Sequence, residues 1–315
     1  MRNTNHSASP AKAWFITGPT SGIGHRTALQ LAKHGSVVLV GRDPNKLRFK
    51  ARSTRSPPAA RYRSSATSPT FQVRGARPQR SSPSIFRSPA CSTTRASCRA
   101  VPSGPRTDGT IAFATNQLGP FASRRRSCPI CLTTRTSCSS VRAPRIPPRK
   151  PAVAAGFRGG RYVSAEASAR GEWKPGGSSK PGFDAYATSK QCNLATVLAF
   201  ARTTPRLRFN AVEPGFNPGT GLGRDVNVAL RFLAKYVLSP LAPFIKYWST
   251  PSRAAHVITE VLTDTSDRTG VYYDENVKPM AGSAQVRDPA FADRIVAETR
   301  ELLATIPMDT APIGL

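Results

Sequence analysis

Near the start of the chain Thr17-Gly18-Pro19-Thr20-Ser21-Gly22-Ile23-Gly24 stands between an apolar run and a helical pattern, and this glycine-rich turn restricts the fold more than any other segment. The run before it is Trp14-Phe15-Ile16, and the pattern after it places Ala28, Leu29, Leu31 and Ala32 at helical spacing. A second β-like run, Ser36-Val37-Val38-Leu39-Val40, follows and is closed by Gly41-Arg42-Asp43-Pro44. Strand, turn, helix, strand is the opening of an α/β fold, because parallel neighbours need a crossover element between them.

Each glycine of the turn has a use. Gly18 admits the tight bend, Gly22 lets the backbone come close to a phosphate, and Gly24 lets the helix pack against the strand. The helix N-terminus offers partial positive charge to a pyrophosphate. Thr20, Ser21 and Ile23 complete this loop as candidate dinucleotide contacts. Arg42 follows the second strand, where an acid would receive the ribose hydroxyls of NAD. A guanidinium there favours an added 2′-phosphate, so NADP is expected over NAD.

The chain has 315 residues, enough for one sizeable α/β domain, and a formal net charge of +29. So basic a chain would ordinarily point to nucleic acid as a partner. The charge is concentrated, however: residues 48–150 hold 21 Lys and Arg against the single acid Asp108, a net of +20. The same stretch holds five of the six cysteines and is crowded with Pro and Ser. Only Cys128 and Cys131 have metal-like spacing, and without a second such pair no metal site is expected. Met1–Lys12 lack an apolar core of the signal-peptide kind, and no run is apolar over the ~20 residues that span a bilayer, so the cytoplasm is the expected compartment.

Across 48–107 and 123–155 the strand and helix periodicities vanish, and disorder is expected there. An island from Asp108 to Phe121, with Asn116 inside it, has helix-like apolar spacing. From about Gly160 ordinary globular composition returns. Tyr186–Arg202 reads as a long helix, Arg208–Val212 as a short strand running into Pro214-Gly215, and Asp288–Ala304 as a C-terminal helix. On the long helix Tyr186 and Lys190 are four apart and share a face. An ammonium beside a phenol favours the phenolate, which suits the phenol to proton transfer near neutral pH.

In this order the Gly-rich turn, Tyr186-Ala-Thr-Ser-Lys190, Val212-Glu-Pro214-Gly215-Phe-Asn-Pro-Gly-Thr220 and Ser249-Thr-Pro-Ser resemble the short-chain dehydrogenase/reductase superfamily, in its branch of protochlorophyllide reductases and retinol-dehydrogenase-like enzymes. The resemblance covers about 13–47, 108–122 and 160–304. It implies a three-layer Rossmann-type fold with a doubly wound parallel sheet, as one domain over 1–315. It also implies that Asn116 matches the asparagine of a catalytic tetrad and holds a water relay, that Tyr186 is the acid/base, and that Lys190 tunes it. Pro214-Gly215 would sit beside the nicotinamide, with Thr220 near its carboxamide or the phosphates. A homodimer or homotetramer built on the Tyr-Lys helix is implied as well.

Two elements of that family are missing: an Asn-Ala-Gly turn after the fourth strand, and the Ser-Ser strand end that carries the catalytic serine. Reading permissible codons one frame over, with each third base opening the next triplet, lets Ser64–Val73 encode Val-Arg-Asp-Leu-Ala-Asp-Ile-Pro-Ser. In the same offset Ser92–Ser97 yields Asp-Asn-Ala-Gly-Ile, and Thr136–Arg142 yields Val-Val-Phe-Val-Ser-Ser. All three fall in family order, so 48–107 and 123–155 are read as out-of-frame translation of a dehydrogenase gene. Central strands are then compromised, and the chain is expected to fold poorly and to turn over slowly or not at all.

Leu230–Trp248 is strongly apolar but carries Lys235, Pro240, Pro243 and Lys246. In the resembled family it would form a lid over the substrate, which implies a small apolar substrate, and peripheral membrane contact is the alternative use. Ser189 lies inside the Tyr-Lys motif but is expected to point away from the substrate carbonyl, and Cys192 and Asn193 are expected to serve helix packing. Three functions remain open: NADP-dependent hydride transfer to or from a carbonyl or alkene, an inactive dinucleotide-binding remnant, and a basic nucleic-acid binder. The third lacks the aromatic interleaving of stacking platforms, so no specific nucleic acid is expected.

Overall fold

The computed structural model describes residues 13–40, 45–47, 70–73, 113–121, 158–177, 181–215, 245 and 248–305. Strand β1 (Ala13–Thr17) pairs in parallel with β2 (Ser36–Val40), with Ala13 opposite Ser36 and Thr17 opposite Val40. Helix α1 (Gly22–Leu31) makes the crossover between them. Its Thr27, Ala28 and Leu31 are buried. On β2 the alternation of a pleated strand turns Val37 and Leu39 inward, where with Ile16, Ala28, Leu31 and Leu47 they form a core cluster.

Strand β3 (Thr70–Val73) lies antiparallel on the far side of β2 from β1, with Val37 opposite Val73 and Val40 opposite Thr70. It falls in a stretch expected to lack strands. Thr70, Phe71 and Val73 are β-branched or aromatic and interrupted by no proline, which is enough for a short outer strand. Antiparallel edge strands are common on otherwise parallel sheets of doubly wound proteins. The remainder of 48–107, and all of 123–155, lie outside the described residues.

The island around Asn116 is helical over 113–121, and within it α2 (Ala114–Leu118) takes the wider π-helical winding. Helix α3 (Ala165–Arg170) is capped by Ser164, whose side chain accepts from the Ala167 amide, and ends at Gly171 in the left-handed region, φ 84°. Helix α4 (Pro181–Thr203) contains the expected Tyr186–Arg202 helix and begins a full turn earlier. Strand β4 (Ala211–Val212) is shorter than the Arg208–Val212 expected. Its lead-in is tied down by other bonds: the Phe209 amide donates to Thr269 Oγ1, and the Asn210 side chain spans the Arg268 carbonyl and the Val271 amide.

Helix α5 (Pro251–Thr263) starts on Thr250, whose hydroxyl accepts from the Arg253 amide. Strand β5 (Tyr272–Tyr273) then pairs in parallel with β4. Helix α6 (Ala284–Arg287) leads into α7 (Pro289–Ala304), which matches the expected C-terminal helix with Asp288 as its cap.

The β4–β5 ladder separates two helical layers. Ala211 and Tyr272 face a large core built with Phe113, Ala114 and Leu118 of the α2 segment, Cys192, Leu194 and Val197 of α4, and Phe291 and Ile295 of α7. Val212 and Tyr273 face the other way, onto Val257, Ile258 and Val261 of α5, with Ile23 of α1 packed against them. Helices on both faces of parallel strands make this an α/β fold of Rossmann type.

Candidate functional site

The glycine turn has the geometry its spacing predicts. Gly18 (φ 67°) and Gly22 (φ 57°) occupy the left-handed region, where side chains are strained. A Cβ on Gly24 would lie 2.4 Å from the Gly18 carbonyl oxygen, so only glycine lets α1 approach β1 this closely. A Cβ on Gly18 would meet nothing within 4 Å, and Gly18, Ser21 and Gly22 are exposed, which leaves the outer side of the turn open. Ser21 caps α1 without a side-chain hydrogen bond, and no acid sits in the first turn to repel an anion. Open backbone amides at the positive end of a helix fit a dinucleotide pyrophosphate.

Pro214 and Gly215 are buried at the carboxyl end of β4, with Gly215 at φ 75°. Because Ile23 packs on the cluster that contains Val212, the glycine turn and the Pro214-Gly215 turn are held at the ends of parallel strands in one neighbourhood. Ligands in open α/β sheets bind outside such strand ends.

On the opposite layer a buried polar seam joins α2 to α4. Asn116 donates its side-chain amide to Ser189 Oγ at 3.1 Å, and Ser189 Oγ donates to the Tyr186 carbonyl at 2.8 Å. The Asn193 amide reaches the carbonyl of Asn116 at 2.9 Å, Gln117 Oε1 at 2.8 Å and the Ser189 carbonyl at 2.8 Å. Gln117 donates in turn to Thr196 Oγ1 at 3.1 Å, and that hydroxyl donates to the Cys192 carbonyl at 2.7 Å. Buried polar groups are tolerable when each is satisfied in this way. A π-helical turn exposes backbone carbonyls that a regular helix would close, and such turns recur at functional sites.

Tyr186 and Lys190, both half-buried, stack along α4 with the ammonium 5.5 Å from the ring centroid, within cation–π range. The structure thus brings Asn116, Tyr186 and Lys190 onto α4 and its partner turn. Gly18, Thr20, Ser21, Gly22, Ile23 and Gly24 form the turn between β1 and α1, from which Ile23 packs on the other face of β4, and Pro214 and Gly215 lie at the end of β4. Arg42 and Thr220 lie outside the described residues, as do Cys128, Cys131 and most of the 230–248 segment.

Two further residues shape the seam. Ser189 is fully buried and bonded to Asn116, so it helps fix that side chain. Asn193, expected to serve helix packing, is the hub of the seam that joins α4 to the facing turn. Their signal was present: Ser189, Asn193 and Thr196 form a polar stripe at helical spacing along a helix whose neighbours are apolar. Glu213, buried beside the Pro214-Gly215 turn, was not singled out either.

No family model matches the chain. A solved structure of an uncharacterized protein from Mycobacterium paratuberculosis is similar over 94% of this chain and 94% of its own, at 18% identity and a TM-score of 0.51. The fold is that of a Rossmann-type α/β protein. A short chain dehydrogenase from Shigella flexneri complexed with NADP is matched over 84% of this chain and 97% of its own, at 19% identity and a TM-score of 0.44. In sequence, 46 residues are 54% identical to the "Putative daunorubicin C-13 ketoreductase DnrU" of Streptomyces sp. (strain C5). The matched stretch is 14% of this chain and 16% of that protein's length.

Proposed function

We propose that this chain derives from an NADP-dependent oxidoreductase of the short-chain dehydrogenase/reductase superfamily that acts on a carbonyl, alcohol or alkene of a small apolar molecule. The observation that carries this reading is the open glycine turn at the N-terminus of α1, with Gly18 and Gly22 in the left-handed region and Gly24 held against the Gly18 carbonyl. The 54% identity with a named ketoreductase supports it over the matched residues.

In this reading Gly18, Gly22 and Gly24, with Thr20, Ser21 and Ile23, hold the pyrophosphate, and Arg42 faces the 2′-phosphate. Pro214 and Gly215 flank the nicotinamide, with Thr220 beyond them. The bound dinucleotide supplies the hydride. Tyr186 exchanges a proton with the substrate oxygen, Lys190 stabilises the phenolate by its charge, and Asn116 orients water on the path to Lys190. The apolar 230–248 segment covers the substrate.

Out-of-frame translation over 48–107 and 123–155 accounts for the basic charge, the prolines and the absent catalytic serine together. A dinucleotide binder with residual turnover is therefore the expected state of this chain. The test is to express it beside a version whose two stretches are re-encoded one base over, and to follow NADPH oxidation with a panel of apolar ketones. Both versions should bind NADPH, and the re-encoded one should turn over at least about a hundredfold faster, the scale of losing one group that stabilises a reacting oxygen. Equal rates, or a gene whose synonymous-site pattern shows 48–150 to be in frame, would refute the reading.

A further inference from the structure

We propose that Glu213 and Tyr272 are positioning residues that set the nicotinamide end of the dinucleotide site by locking the Pro214-Gly215 turn onto β5. This inference rests on the NADP-binding reading above.

The ladder that carries the turn is short. Strands β4 and β5 contribute two residues each, and the backbone pairing closes with the Glu213 amide donating to the Tyr273 carbonyl at 2.8 Å. Immediately after that bond the chain leaves the sheet, and two residues later Gly215 adopts φ 75°. A glycine in that region has the greatest backbone freedom of any residue, so the direction of the turn depends on what fixes its root.

The Glu213 side chain does this. It folds back against β5, where Tyr272 donates its hydroxyl to Oε2 at 2.8 Å. Both residues are buried, Glu213 at 9% and Tyr272 at 4% exposure. A carboxylate so placed is costly unless hydrogen-bonded, and the bond to it is of the stronger, charge-assisted kind. The Tyr272 ring is itself wedged in the core built with α4 and α7, so the hydroxyl presents a fixed donor. The residue at the root of the turn is therefore tied to β5 twice, by its backbone amide to Tyr273 and by its side chain to Tyr272. The glycine turn after β1 is rooted on β1 through Gly24, and its Ile23 packs on the Val212–Tyr273 face of the ladder, away from the Glu213–Tyr272 bond.

Those different roots give a test that needs no turnover. NADPH spans both ends, whereas adenosine 2′,5′-bisphosphate occupies only the adenosine end. In Tyr272→Phe, NADPH affinity should fall about tenfold, the scale of one bond to a charged group, while the bisphosphate should bind within about twofold of the unsubstituted chain. Glu213→Leu avoids stranding a buried charge and should show the same split, and Glu213→Gln keeps an acceptor for the phenol and should stay within about threefold for both ligands. Equal weakening of both ligands in Tyr272→Phe and Glu213→Leu would assign the pair to general stability and overturn the proposal. Unchanged NADPH affinity in both would also overturn it. An unsubstituted chain that binds neither ligand would instead refute the cofactor reading itself, and the positioning role with it.

Discussion

The side-chain amide of Asn193 donates to the main-chain carbonyl of Asn116 at 2.9 Å, so the helix that carries Tyr186 also grips the π-helical turn facing it. The same amide reaches Gln117 Oε1, and Gln117 reaches Thr196. Asn193→Leu keeps the volume but strands the Gln117 oxygen and the Asn116 carbonyl, each at a cost of about 1–3 kcal/mol. Urea unfolding should show a loss of about 2–4 kcal/mol, and amide exchange over 114–118 should accelerate. Thr196→Val removes two links, the acceptor of Gln117 and the donor to the Cys192 carbonyl, and should cost about 1–3 kcal/mol.

The glycine turn separates two kinds of substitution. Gly24→Ala places a methyl 2.4 Å from a backbone oxygen, and neither partner can swing aside, so α1 must move off β1. Overpacking of this type costs about 1–3 kcal/mol and should abolish measurable NADPH binding. Gly18→Ala meets open space and bears only the strain of φ 67°, about 1–2 kcal/mol. Thermal unfolding and NADPH titration of the two variants should rank them in that order.

Away from the site, Tyr162 donates its hydroxyl to Glu298 Oε2 at 2.6 Å, and the same oxygen accepts from the Ala165 amide at the start of α3. Burial, the neighbouring Cys192 and the bond to Glu298 hold the phenol well above its ordinary range. In the unfolded chain it ionises near pH ~10, so its contribution is complete below that pH. Above it the unfolded state sheds the proton first, and stability falls by up to ~1.4 kcal/mol per pH unit. Stability measured from pH 9 to 11 should decline steeply in the unsubstituted chain and less steeply in Tyr162→Phe.

Cys192 is fully buried on α4, and burial, with Glu298 nearby, raises its thiol. Thiolate is the reactive form, so alkylation of this residue should be slow in the folded protein and accelerate on unfolding. Peptide mapping after a brief iodoacetamide pulse, with and without urea, measures this. Comparable labelling in both conditions would contradict the buried placement.

Much of the scaffold was legible in the residues. The β1–α1–β2 unit, the long helix around Tyr186 and Lys190, and the C-terminal helix all follow from periodicity and punctuation, because each buries one face and is capped by Ser, Asp or Pro. Strand β3 was not legible, since its Thr70–Val73 run sits in Arg-, Ser- and Pro-rich surroundings that mask a four-residue signal. The shortness of β4 was hidden for another reason: Phe209 and Asn210 read as strand residues but spend their hydrogen bonds on 268–271. At the site, the glycines, Tyr186 and Lys190 announce themselves by spacing. Asn193 and Glu213 do not, because their roles depend on partners far away in sequence, Asn116 and Tyr272.

The central claim, that the Gly18–Gly24 turn holds a phosphorylated dinucleotide, is tested most directly by titrating the unsubstituted chain with NADPH and following nicotinamide fluorescence. Saturable binding is predicted, weaker for NADH and competed by adenosine 2′,5′-bisphosphate. A fluorescence change that never saturates, or one indifferent to that competitor, would contradict it.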